Sequence, residues 1–143
     1  MSQSAIRPFH LALPVTDLDQ TRRFYTELMR CPIGREASRW LDLDFFGHQV
    51  TLHRVDTIET SDGHNDVDAD HVPARHFGVI LKPSDWRELA DRMVAAGVQF
   101  IIEPKIRFEG QVGEQATMFF RDPSGNALEF KSFANDADIF AVT

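Results

Sequence analysis

The sequence predicts an α+β fold: two βαβββ modules whose strands pair into a curled, mixed β-sheet around a cavity, with the helices on the outer face. Three observations carry this expectation. A short strand-like run with a histidine near its start occurs twice, as Phe9-His10-Leu11-Ala12-Leu13-Pro14-Val15 and as Arg75-His76-Phe77-Gly78-Val79-Ile80-Leu81. Each run leads into a helical apolar stripe and then into further strands. Between the copies lies a segment, Asp56 to Asp70, that is rich in acids and holds no Lys or Arg. The 143 residues suit a single domain. Module one covers about 6–55, an acidic linker about 56–74, module two about 75–133 and a tail 134–143.

In module one, Asp17 sits where a helix N-cap belongs. Leu18, Phe24, Tyr25, Leu28 and Met29 follow, mostly at spacings of three and four, and Pro32 and Gly34 end the helix. Strand-like stretches run from Trp40 to Phe46 and from His48 to Val55, joined at Gly47. The linker contains Asp56, Glu59, Asp62, Asp66, Asp68 and Asp70, with His64 and His71, and Pro73 closes it. Such a composition buries too little apolar surface to offset the entropy of ordering, so it reads as a solvated connection. It lacks the ligand spacing of an EF-hand. In module two Ser84 is the expected N-cap, with Asp85 and Glu88 in the first turns. Trp86, Leu89, Ala90, Met93 and Val94 form the apolar stripe, and Gly97 is placed for a C-cap. Strands are expected at Val98–Ile102, Glu114–Arg121 and Ala127–Phe133, the last two joined by the turn chemistry of Asp122-Pro123-Ser124-Gly125-Asn126.

Composition narrows the partners. The formal charge of −7 disfavours a nucleic-acid surface. No apolar run approaches the roughly 20 residues that span a bilayer, so no membrane partner is expected. A lone Cys31 makes no internal disulfide, which suits the reducing cytoplasm. Most of the charge sits in the linker and says little about the polarity of a site.

Strand alternation assigns faces. Phe9, Leu11 and Leu13 share one face of the first run, and Phe77, Val79 and Leu81 one face of the second. These large apolar faces belong beneath the helices, so His10 and His76 project from the opposite side, beside small residues. On the terminal strand Leu128 and Phe130 take the helix side and Glu129 the other. Two histidines and a carboxylate are a ligand set for non-haem Fe(II), and also for Mn, Ni or Zn. On the residues alone, a strand histidine is more often a hydrogen-bonded structural residue than a ligand.

The duplicated plan and a set of short motifs resemble the vicinal oxygen chelate superfamily, which includes glyoxalase I, extradiol dioxygenases, fosfomycin-resistance enzymes and bleomycin-binding proteins. The motifs are Phe9-His10-Leu11-Ala12, Phe46-Gly47-His48-Gln49, Arg75-His76-Phe77-Gly78, Gly113-Glu114-Gln115-Ala116-Thr117 and, most specifically, Asp122-Pro123-Ser124-Gly125-Asn126-Ala127-Leu128-Glu129-Phe130. The resemblance covers roughly residues 6–133 and is greatest to small extradiol-type members. It implies that His10, His76 and Glu129 hold a divalent metal, Fe(II) favoured and Zn, Mn or Ni as alternatives. It also implies a homodimer and a small substrate with vicinal oxygens, cleaved as a catechol-like ring. A glyoxalase-like lyase or isomerase, a thiol transferase and a drug-binding protein are the alternatives.

Two departures stand out. Thr51 occupies the place of a fourth, carboxylate ligand; His53, one pleat further along, is a candidate ligand or acid/base group, and Gln49 shares that face. The sole tyrosine, Tyr25, sits on the helix stripe and not beside the expected metal. Gln115, Thr117 and Phe119 alternate along one strand as cavity-lining candidates, and Lys131 shares the parity of Glu129. His48 and Cys31 read as structural.

Overall fold

A computed structural model describes residues 6–59, 64–67 and 70–142. Asp62, Gly63 and Asp68 of the acidic run lie outside the described residues. The chain forms two compact units, Met1–Glu59 and Thr60–Thr143, and is α+β as expected. Among the described residues no helix is long and apolar enough to cross a membrane.

The first unit runs β1 (His10–Val15), α1 (Leu18–Arg23), β2 (Ile33–Ala37), β3 (Trp40–Phe45) and β4 (His48–Arg54). Its sheet has the order β1-β4-β3-β2, with β1 parallel to β4 and the other pairs antiparallel. Asp17 caps α1 as expected, its Oδ1 accepting from the Gln20 amide at 2.9 Å. The helix then widens into a π-turn over Phe24–Leu28, where Met29 N–H reaches back five residues to the Phe24 carbonyl. Tyr25 and Met29 are buried there, and the Tyr25 ring meets Phe45 of β3 edge-on at 6.3 Å. The βαβββ plan calls for strand β2, but no sequence pattern located it. Ile-Gly-Arg-Glu-Ala has no apolar alternation, and the strand is exposed along its whole length as the sheet edge. Phe9 was expected beneath the helix; it is 65% exposed, one residue before β1 begins.

The second unit holds β5 (His64–Val67), β6 (Asp70–Pro73), α2 (Pro83–Ala95), β7 (Phe100–Arg107), β8 (Gln115–Arg121) and β9 (Ala127–Phe133). The acidic stretch is therefore not featureless, since β5 and β6 pair antiparallel. Val72 anchors the hairpin in a buried cluster with Ile102, Phe119 and Ala127, an apolar contact that the charge-dominated composition conceals. The run from Phe77 to Ile80 pairs parallel to β9, and β9, β8 and β7 follow antiparallel. This is the strand order of the first unit. Helix α2 starts at Pro83, with Lys82 at the N-cap position, and not at Ser84; proline at N1 forgoes no hydrogen bond there. Its end is as expected: Gly97 takes a φ of +73° and Val98 N–H closes on the Met93 carbonyl. Trp86 is buried and its indole N–H donates to the Phe130 carbonyl at 2.9 Å, fixing α2 to the strand that carries Glu129.

The turn before β9 is held by Asp122, whose buried carboxylate accepts from the amides of Ser124 and Asn126 and from the Asn126 side chain, each at 2.9 Å. Removing it leaves three donors without that acceptor. Asp122→Ala is expected to cost about 2–4 kcal/mol by denaturant unfolding. A loss below about 1 kcal/mol would mean that the turn holds itself without this carboxylate.

Candidate functional site

In the second unit, β8 and β9 present one face in register: Phe119 opposite Glu129, Thr117 opposite Lys131, and Gln115 opposite Phe133. Leu128 and Phe130, on the other face, are fully buried. Glu129 is therefore turned away from the core by strict alternation. Its side chain is only 11% exposed and is held from several sides. Thr117 Oγ1 donates to its Oε2 at 2.6 Å, His76 Nε2 lies 3.4 Å from its Oε1, and Lys131 Nζ lies 4.0 Å from the same oxygen.

His76 is oriented by its backbone surroundings. Its Nδ1 stands 2.9 Å from the Pro73 carbonyl, and its ring meets Phe119 edge-on at 4.7 Å. A carbonyl oxygen only accepts, so Nδ1 carries a proton. Nε2 faces the Glu129 carboxylate across 3.4 Å, either as an imidazolium N–H in an ion pair or, in the neutral ring, with its electron pair toward the carboxylate. In the neutral ring only a cation between them, a proton or a metal ion, relieves that juxtaposition. Two ligands each about 2.1 Å from one ion are separated by about 3.0–3.4 Å, so the pair fits a divalent metal.

Gly78 brings this geometry about. A Cβ on it would lie 1.6 Å from the Glu129 carbonyl oxygen. Only glycine lets the His76 run approach β9 so closely.

In the first unit, His10 opens β1 in register with Gln49 of β4, and its Nδ1 lies 2.8 Å from Gln49 Oε1. It faces a cavity of about 500 Å³ lined also by Phe9, Arg35, Asp42, Asp44 and Gln49. His53 pairs with Pro14, four residues along the strand from Gln49, or about 13 Å. The register does not bring it to His10. His48 is structural as expected, its Nδ1 accepting from the Phe9 amide at 2.8 Å. Tyr25 is fully buried, and Cys31 is buried and unbridged.

Gln115 and Thr117 are both buried on the Glu129 face of β8. The Gln115 Nε2 donates to the Gly113 carbonyl at 3.3 Å, while its Oε1 is buried without a hydrogen-bond partner. Within neither unit do the described residues gather three His, Cys, Asp or Glu side chains as a metal set. His76 and Glu129 are brought together; His10 stands in the other unit. The sequence reading missed Asp42, although its alternation was legible. Trp40, Asp42 and Asp44 share one face of β3, opposite the buried Leu41, Leu43 and Phe45.

Comparison with known proteins agrees with this architecture. The family model described as Glyoxalase/Bleomycin resistance protein/Dioxygenase superfamily matches residues 7–130. A crystal structure of a glyoxalase/bleomycin resistance protein/dioxygenase from Alicyclobacillus acidocaldarius is 33% identical, with a TM-score of 0.76, covering 93% of this chain and 96% of that one. Virulence protein STM3117 of Salmonella typhimurium is 23% identical over 87% of this chain and 82% of its own length. The genomically encoded fosfomycin resistance protein FosX of Listeria monocytogenes shares the fold, with a TM-score of 0.68 at 17% identity, over 96% of this chain and 98% of its own.

Proposed function

The chain belongs to the glyoxalase/bleomycin resistance/dioxygenase superfamily, and we propose that within it the protein is a metal-dependent enzyme acting on vicinal oxygens of a small substrate. The observation that carries this reading is the His76–Glu129 pair, two ligand-type side chains held 3.4 Å apart, the spacing of neighbouring ligands on one ion. His10 completes the set in this proposal. The bound ion, Fe(II) in first place and Zn, Mn or Ni otherwise, supplies Lewis-acid chemistry and, as Fe(II), reactivity toward dioxygen.

The chain's own groups do the positioning. Thr117 pins one oxygen of Glu129 and leaves the other facing His76 and Lys131. Lys131 offers an ammonium to an anionic oxygen of the substrate, and the unpartnered Gln115 Oε1 accepts from a hydroxyl or amide. Gln49 acts through His10, and His53, at the Pro14 end of β4, touches the far part of a substrate. In this reading the two modules form one domain, the active species is a cytoplasmic homodimer, and neither nucleic acid nor membrane takes part.

The ligand set speaks for an extradiol-type ring-cleaving dioxygenase. One observation favours a redox-neutral lyase, isomerase or thiol transferase instead: the only tyrosine, Tyr25, is buried away from solvent and offers no phenol to a catechol. Elemental analysis of the purified protein is expected to give one divalent metal per chain. Anaerobic loading with Fe(II), followed by oxygen and a catechol panel, should give ring-cleavage absorbance. Turnover with Zn, Ni or Mn without oxygen would move the assignment to the redox-neutral class. Absence of any metal, with ligand binding unchanged in His10→Ala, would leave a drug-binding protein.

A further inference from the structure

The two units match residue for residue along their parallel strand pairs. His76 stands two residues before Gly78, whose backbone lies against Glu129; His10 stands two residues before Ala12, which pairs with Thr51. Thr51 is thus the counterpart of Glu129. The first unit has a carboxylate one strand over: Asp42 of β3 is in register with Thr51. Thr51 Oγ1 donates to Asp42 Oδ1 at 2.6 Å. The other oxygen, Oδ2, accepts from Gln49 Nε2 at 3.5 Å, and Gln49 Oε1 faces His10 Nδ1 at 2.8 Å.

The polarity of the two ends dictates the direction of this chain of contacts. A carboxylate only accepts, so the Gln49 amide must turn its NH₂ toward Asp42. Its carbonyl oxygen then faces His10, and an oxygen there is satisfied only by an N–H. Nδ1 therefore carries the imidazole proton and Nε2 keeps its electron pair. In the second unit a backbone carbonyl does the same for His76. In the first unit the Gln49 side-chain oxygen takes that place beside His10.

We propose that Thr51, Asp42 and Gln49 form a positioning relay that fixes the tautomer and ring orientation of His10, presenting Nε2 to the metal. The relay rests on the reading of His10 as a ligand only for its consequence, not for its geometry. Thr51, at the position where its counterpart supplies a carboxylate, is the root of the relay and orders Asp42. Gln49 is a positioning residue and not a catalytic one.

Long-range ¹H–¹⁵N spectra of the metal-free protein at alkaline pH read the tautomer directly, with His10→Ala identifying the His10 signals. Wild type should show the Nδ1–H form, and Gln49→Leu should shift His10 toward the Nε2–H form that free imidazole side chains favour. Asp42→Ala, which frees the amide to rotate, should shift it the same way and less far. Gln49 is exposed, so its replacement leaves the fold intact, checked by circular dichroism. Zn²⁺ affinity, measured by competition with a chelator, should fall about 10–100-fold in Gln49→Leu. An Nε2–H tautomer in wild type, or one unchanged in Gln49→Leu, overturns the relay whatever the metal result. A tautomer that shifts as expected while His10→Ala binds Zn²⁺ like wild type upholds the relay and removes His10 from the ligand set.

Discussion

Glu129→Gln is expected to weaken divalent-metal binding by at least about 100-fold, since even partners that only orient a ligand cost 10–100-fold when lost. The fold should survive. Glutamine keeps the shape of the side chain and an oxygen to accept from Thr117, whose hydroxyl is 2.6 Å from Oε2. What disappears is the charge. The Lys131 ammonium, 4.0 Å from Oε1 and about a third exposed, forms a loose pair worth under about 1 kcal/mol, so melting should shift by only a few degrees. His76 loses the carboxylate opposite its Nε2, but its bond to the Pro73 carbonyl is untouched. Metal titration and thermal melting together make the test specific. Wild-type affinity in Glu129→Gln would remove this residue from the ligand set, while a large loss of stability would recast it as a structural acid.

The features that were legible in the sequence share a physical origin. Alternation and helical spacing report burial, and burial decided where Glu129 and His76 point: Leu128 and Phe130 must go inward, so Glu129 goes outward. Local turn chemistry was legible for the same reason. Asp17, Gly97 and the Asp122 turn act within a few residues of themselves, where spacing speaks directly. The position of strand β2 escaped because an exposed edge strand is held by its backbone pairing, which leaves no apolar trace in Ile33–Ala37. The β5–β6 hairpin escaped because Val72, which joins a buried cluster, lies within a segment dominated by acids.

Cross-strand chemistry was the least legible. Asp42 and Thr51 are nine residues apart and meet only through the β3–β4 register, and Thr117 reaches Glu129 across twelve residues through β8–β9. Thr51 itself is no carboxylate, but in register one stands beside it on the next strand, Asp42, and only the pairing shows it.

Gly78→Ala should be the most damaging single methyl in the protein, removing both stability and metal binding. The added Cβ would stand 1.6 Å from the Glu129 carbonyl oxygen and 2.6 Å from its carbon. Both are backbone atoms, so no side-chain rotation relieves the overlap and the His76 run must part from β9. Four backbone hydrogen bonds bind that seam: Phe77 to Ala127 at 3.2 Å, Glu129 to Phe77 at 2.8 Å, Lys131 to Val79 at 3.4 Å and Leu81 to Lys131 at 2.8 Å. A loss of more than about 3 kcal/mol is expected, or roughly 10 °C in melting temperature. Gly47→Ala is the matched control. Its φ of +89° strains any other residue, but nothing lies within 4 Å of the new methyl. It should cost only about 1 kcal/mol and leave metal affinity unchanged. If Gly78→Ala proved no worse than Gly47→Ala, the close approach of the two backbones would not be what sets His76 against Glu129. If instead Gly78→Ala folded but bound metal more weakly by the same factor as Glu129→Gln, the seam would be shown to act on the site through strand position alone.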